Sequence, residues 1–472
     1  MFEVENKRVM VIGLGGRGQA ACELLCHRGA QVLGVDCADT AELRAASAGL
    51  RALGADVELG VSTPPKGGFD LAVISPSVRM DSDLVRSLKA AEVPLISELE
   101  LGYQYAKCLG VAIAGTNGKG TTGEILERIL RGNHRKASLC GHRAMPVCAV
   151  TEQSKELDFL LMQANAFQLE TTRFFRPSVA VLLNLAADHG ERYATAADYA
   201  QANARLFANQ QAFDWAIVQS EALTQLRELG LPVPAKTITF SATDSTADLY
   251  LDRGLLISRL ANWSGPLLDM DFCQLRGPHN AENIMAALAV GHVLRFPLES
   301  MVDPIKTYNA GPHRCELVAE LNGVQFINDS KAMNIDALQK ALLTARPGHA
   351  GEANIWLIAG GREEGVEYHD IGPILSRRVK KAFLIGESSE KIRAAWSLFT
   401  PCTVSKSLVE AITEAAKNAV SGDVVLFSPA CSSLDQFQSY QHRGETFCQT
   451  VKSISRGASE GSPHMHGRMA IL

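Results

Sequence analysis

The chain is predicted to be an α/β protein of three domains in series, each built on a mostly parallel sheet. Three observations carry this expectation. Apolar strand-like runs alternate with amphipathic helical stretches from end to end, the pattern of parallel sheets with helical crossovers. A glycine-rich turn between a strand and a helix occurs twice, at residues 13–18 and 115–120. The length, 472 residues, exceeds what one core ordinarily organises and suggests about three domains.

The first unit, residues 1–108, opens with "KRVMVIGLGGRGQAACELLCHRGAQVLGVD", read as strand, glycine turn, helix and strand ending in Asp36. Gly13, Gly15 and Gly18 satisfy G-x-G-x-x-G, and Asp36 follows at the separation of a ribose-binding carboxylate. Spacing alone therefore fits a Rossmann-like domain with an NAD site. Further strands are expected in "FDLAVISPS" and "VPLISELELGYQYAK".

The second unit, residues 109–310, begins with the apolar run "LGVAIA" and enters "GTNGKGTT". A strand that ends in a glycine turn and starts a helix aims several amides and one lysine at a single point, which suits the phosphates of a nucleotide. This is a P-loop ATPase-like layout, although Ile113 and Gly120 depart from the standard Walker pattern. Strands are expected in "SVAVLLNLAADHGERY", "DWAIVQ" and "KTITF", and a helix in "NAENIMAALAVGHVL". The third unit, residues 311–456, has strand candidates "VQFIND", "ANIWLIAG", "KAFLIG" and "DVVLFSPA", a second Rossmann-like alternation. Residues 457–472 are small, polar and aperiodic and are expected to form a flexible tail.

Composition narrows the class. Hydrophobic residues make up 46% and charged ones 21%, as in globular proteins, and the net charge of −5 argues against nucleic acid as a partner. Without a long apolar run or a signal-like N-terminus, a cytoplasmic protein with no membrane insertion is expected. A monomer is the default. The eleven cysteines lack paired CxxC spacing and are expected to be reduced. Cys22 and Cys26, beside His27, could grip a metal from one helical face or simply be core residues.

Several clusters recur in a fixed order: "GTNGKGTT", "AFQLETT" at 166–172, "NLAADHGERY" at 184–193, "GPHNAENI" at 277–284, "GPHRCE" at 311–316, "NDSKAMN" at 328–334 and "SPACSSLDQFQSYQHRGETF" at 428–447. This series resembles the Mur ligases, most of all their D-glutamate-adding members, over nearly the whole chain. The resemblance implies ATP-driven amide formation through an acyl phosphate, with UDP-N-acetylmuramoyl-L-alanine and D-glutamate as substrates and ATP with Mg2+ as cofactors.

By the same resemblance, Gly115, Thr116, Asn117, Gly118, Lys119, Gly120 and Thr121 would hold the ATP phosphates through loop amides and the lysine. Asn280 and Asn283 would stand near the adenine, or cap the helix that begins there. Arg314 and Asp329 would reach ATP when the third domain closes. The first glycine loop would receive the uridine diphosphate end rather than NAD, through Gly15, Gly16, Arg17, Asp36, Cys37 and Ser77, with His142 near the muramoyl part. Lys331, Ser433 and Tyr440 would hold the incoming amino acid. Lys119, His189 and Lys331 would carry the chemistry, and Thr121, Gln163 and His189 the metal. His189 beside Asp188 also reads as a surface pair, Lys331 as a solvated loop charge, and "CSSLDQF" as a plain strand-to-helix junction.

The sequence departs from the family where charge is needed. Gly120 stands in place of a Ser or Thr, Gln163 in place of a carboxylate, and Asn203 in place of a lysine that the family carbamylates. Met333 replaces a hydroxyl residue, Glu364 a lysine, and His142 an asparagine. Hard magnesium favours anionic oxygens, so the metal set is the most altered part.

Overall fold

The computed structural model describes residues 3–63, 67–142, 144–186, 192–363 and 367–460, without the side chains of 350 and 457–460. The chain divides into two compact units, Met1–Tyr308 and Asn309–Leu472. The first unit holds two sheets and the second holds one.

The first sheet contains β1 (Arg8–Ile12), β2 (Gln31–Asp36), β3 (Asp56–Leu59), β4 (Leu71–Ile74) and β5 (Leu95–Ser97). Its order is β3-β2-β1-β4-β5, all parallel, so the order reverses beside β1, where the glycine turn emerges. Central strands of such a sheet are covered on both faces, and β4, "LAVI", is buried throughout. Thr40, Ser82 and Ser97 cap the helices that follow them, each accepting from a backbone amide three residues on.

The second sheet contains β6 (Leu109–Ala114), β7 (Ala137–Gly141), β8 (Phe159–Gln163), β9 (Val179–Leu182), β10 (Trp215–Gln219), β11 (Lys236–Ser241), β12 (Leu249–Asp252), β13 (Leu255–Ser258) and β14 (Gly265–Asp269). The order is β14-β13-β12-β11-β10-β9-β6-β8-β7. It is parallel except for β13 and β14, which extend one edge as an antiparallel hairpin. The helix Lys119–Gly132 buries Thr122, Ile125, Leu126, Ile129 and Leu130, a face at helical spacing. The helix Glu98–Tyr105 links the two sheets: Glu98 accepts from Cys148 N–H at 2.7 Å, and a Cβ on Gly102 would lie 2.7 Å from Cys148 N.

In the second unit, β15 (Glu316–Leu321), β16 (Val324–Asn328), β17 (Ile355–Gly360), β18 (Val379–Ile385), β19 (Cys402–Val404) and β20 (Val424–Phe427) order as β15-β16-β20-β17-β18-β19. Only β15 runs antiparallel to its neighbour. The final helix, Tyr440–Glu460, runs past residue 456. No described helix is long and apolar enough to cross a membrane.

Candidate active site

The loop after β6 is shaped by backbone conformations that only glycine tolerates. Gly115 has φ +128° and Gly118, which precedes the helix, has φ +93°. A Cβ on Gly118 would collide with Asn283 Oδ1, so the helix Pro278–Val293 packs its asparagine directly on the turn. Asn283 Oδ1 also accepts from Thr122 Oγ1 at 3.3 Å, and its amide donates to Asn280 Oδ1 at 3.2 Å. Asn280 donates to Arg276 O at 2.8 Å, and neither asparagine caps the helix through its side chain.

Asn184, just beyond β9, holds the loop from the other side. Its backbone oxygen accepts from Thr116 N–H at 3.0 Å, its side-chain oxygen accepts from Asn117 N–H at 2.9 Å, and its amide donates to Asn117 O at 3.0 Å. The amides of Thr116 and Asn117, expected at phosphate, here lock the loop to Asn184. The first turn of the helix Lys119–Gly132, which has no side-chain cap at Gly118, points its amides toward the loop. Lys119 Nζ lies across this mouth, donating to Gly115 O and, at 3.0 Å, to Thr116 O. Thr116 Oγ1 meets Tyr199 OH at 3.2 Å and accepts from Ala186 N–H at 3.0 Å. Asn184 and Tyr199 are contributors that motif reading missed.

On the metal side the residues present do not fit a cage. Thr121 is buried, Gln163 is neutral and 5% exposed, and Asn203 is fully buried. Asn203 donates back to Tyr199 O of its own helix at 2.9 Å, and its Oδ1 has no hydrogen-bond partner among the described residues. The side chain thus offers a neutral oxygen and no anion. No group of three or more metal-ligating side chains occurs among the described residues. His189, expected as catalyst and ligand, lies outside the described residues, as does Glu364.

The residues expected at the uridine diphosphate end gather around β1. Gly15 and Gly16 are exposed with open space where a Cβ would stand, whereas a Cβ on Gly18 would collide with Gly13 O. Asp36 accepts from Leu14 N–H at 2.7 Å and Ala38 N–H at 2.9 Å, so its carboxylate holds the glycine turn. Cys37 and Ser77 are exposed, and Ser77 Oγ lies 3.2 Å from Ser75 Oγ. Arg17 reaches Gly141 O at 3.4 Å, beside His142, whose Nδ1 is 3.0 Å from Asn165 Nδ2. Burial raises the carboxyl of Glu98, with Cys148 N–H and the Arg17 charge opposing. Cys22 is a buried core residue, its thiol pushed up to about 12 chiefly by burial.

In the second unit, Arg314 is flanked by two non-glycine residues in the left-handed region, His313 (φ +66°) and Cys315 (φ +47°). Such strain is held only by surrounding contacts and often marks a working residue. The clamps are visible: Cys315 N–H donates to Asp329 at 3.1 Å, and the His313 ring meets Asn328 Nδ2 at 2.9 Å. Asp329 also accepts from Ser428 at 2.8 Å, and burial pushes its carboxyl up to about 7 against these bonds. Lys331 Nζ lies 5.5 Å from the Tyr440 ring centroid. Ser433 is buried and Met333 half-buried. Arg443, to which sequence reasoning gave no role, is fully buried and donates to Ser330 O at 2.9 Å and Cys431 O at 3.0 Å. It ties the Lys331 segment to the turn after β20, and burial lowers its guanidinium to about 10.

The Mur ligase middle domain matches residues 113–291, and the Mur ligase glutamate ligase domain matches residues 313–431. The UDP-N-acetylmuramoylalanine–D-glutamate ligase of Acidobacterium capsulatum is 34% identical over 468 residues, which cover 97% of this chain and 98% of that one. Among solved structures, the UDP-N-acetylmuramate–alanine ligase of Thermotoga maritima gives a TM-score of 0.59 at 17% identity, covering 95% of this chain and 100% of that one. The MurF ligase of the same organism, in complex with ADP, gives 0.58 at 18% identity, covering 96% of each chain. These two show the fold, and the long, more similar relative shows the lineage: the chain belongs to the Mur ligase family.

Proposed function

We propose that the protein joins an amino acid, D-glutamate in the first instance, to the L-alanyl carboxylate of UDP-N-acetylmuramoyl-L-alanine in cytoplasmic peptidoglycan precursor synthesis. The loop Gly115–Thr121 is the observation that carries this reading, because its glycines, its lysine and its lock on Asn184 suit a nucleoside triphosphate. A carboxylate oxygen attacks the γ-phosphorus and ADP leaves. The amino nitrogen of the acceptor then attacks the acyl carbon, phosphate leaves, and the nitrogen loses a proton. Lys119 and the helix's first turn would offset the charge that builds on the phosphoryl oxygens.

Asn283 would brace that loop near the nucleotide. Arg314 and Asp329 are assigned to ATP, and Lys331, Ser433 and Tyr440 to the amino acid. Gly15, Gly16, Arg17, Asp36, Cys37, Ser77 and His142 are assigned to the UDP substrate, and His189 keeps its catalytic assignment. Magnesium is expected to enter on the ATP phosphates, which supply the anionic oxygens that Gln163 and Asn203 do not; no step is assigned to it.

A second reading, a paralogue that binds nucleotide or UDP-sugar peptide with little turnover, is favoured by one observation: the buried Asn203 carries no charge and turns its amide back onto Tyr199 O of its own helix. The half-buried Met333 favours a third reading, a ligase for another amino acid. The test follows phosphate release from ATP with UDP-N-acetylmuramoyl-L-alanine against a panel of amino acids. Turnover with D-glutamate supports the first reading. Turnover only with a neutral or basic amino acid moves the acceptor, and binding without turnover overturns the ligase reading.

A further inference from the structure

Arg192 lies beyond β9 in the chain, yet its guanidinium reaches the turn after β4 of the first sheet. Nη1 donates to Pro76 O at 3.0 Å and to Val78 O at 3.2 Å. Nε and Nη2 grip the Glu170 carboxylate at 3.3 and 2.6 Å, and the guanidinium lies 4.3 Å from the Phe167 ring centroid. Glu170 also accepts from Tyr193 OH. Both members of the ion pair are mostly shielded, at 16% and 18% side-chain exposure, where a bidentate fork is worth more than a surface pair.

The turn that Arg192 holds is the one that packs on the glycine loop. A Cβ on Gly13 would lie 2.8 Å from Ser75 Cβ and 3.1 Å from Val78 Cγ2. Asn184 holds the phosphate loop, and Arg192, forked onto Glu170, holds the turn that carries Ser77. The first contact locks the loop assigned to ATP, and the second locks the turn assigned to the UDP substrate.

We propose that Arg192 is a positioning residue that holds the Ser75–Val78 turn in register with the phosphate loop, so that the donor carboxylate is presented to the γ-phosphate. The proposal rests on the ligase reading for its substrate, but its core is a mechanical claim about the turn. All five guanidinium donors share one rigid plane, and a lysine cannot serve a carboxylate fork and two carbonyls together.

Arg192→Met and Arg192→Lys are compared with the full-length wild-type chain. Hydrogen exchange without ligand reads the peptide covering 75–82 and the one covering 113–122. We expect the first to exchange about tenfold faster in both variants and the second to stay within about twofold of wild type. Calorimetric titration should show UDP-N-acetylmuramoyl-L-alanine bound about tenfold more weakly, ATP bound within about twofold, and no rescue by lysine. Unchanged exchange at 75–82, or equal loss at both peptides, would overturn the proposal regardless of ligand. If wild type binds no UDP substrate, the ligase reading fails while the exchange result still decides the role of Arg192.

Discussion

The loop after β6 and the end of β8 lie on neighbouring strands of one sheet, yet they are built differently. The loop is built from backbone: φ values at Gly115 and Gly118 that suit glycine, and amides locked to Asn184. On the β8 side the residues expected to serve a metal are side chains, and there Gln163 and Asn203 are neutral. A backbone-built cradle is coupled to packing, because its turns are in contact with the helix Pro278–Val293 and the strand end at Asn184. A neutral side chain can stand where a charged one would without altering the backbone path, so the same fold accommodates either.

Gly118→Ala should break the comparison from the strong side. It forces a side chain into the left-handed region and against Asn283, so we expect stability to fall by about 1–3 kcal/mol and ATP binding to weaken by at least about a hundredfold. Thermal unfolding and calorimetry check both. Asn184→Ala removes the side-chain half of the lock and leaves its backbone bond, so a smaller loss is expected, about tenfold in ATP affinity. Equal affinity in that variant would show that the lock is incidental.

Asp329 gives a prediction in pH. Its folded carboxyl is raised from 3.8 to about 7 mainly by burial, so the folded form holds its proton more tightly than the unfolded chain does. The resulting stability is present below about pH 4 and is lost as pH rises toward 7. Asp329→Asn cannot titrate, and its denaturant midpoint should decline less than that of wild type between pH 4 and 7.5. The smallest effect is expected at Asn203→Leu, which removes an oxygen that lacks a partner; stability should move by no more than about 1 kcal/mol and ATP affinity should hold. A large loss of affinity there would restore Asn203 to the site.

Local pattern made much of this visible. The glycine turns, the strands β6, β9, β10 and β16–β18, and the helix Pro278–Val293 are all written in short-range periodicity and turn chemistry. The antiparallel hairpin β13–β14 and the edge strands β15 and β19 were not legible, because short edge strands carry weak alternation. Asn184 escaped for a different reason: it lies 67 positions from Asn117, and nothing local marks an asparagine as a lock. Arg192 is 116 positions from Pro76, and Arg443 113 from Ser330, so their roles appear only once the sheets are assembled.

The central claim is that Lys119 and the helix turn behind it grip a nucleoside triphosphate. Calorimetric titration of ATP into wild type and Lys119→Ala tests it most directly. The account predicts saturable binding by wild type and a loss of about a hundredfold in the variant, with its unfolding temperature nearly unchanged. No binding by wild type up to millimolar ATP, or equal binding by the two proteins, would contradict it.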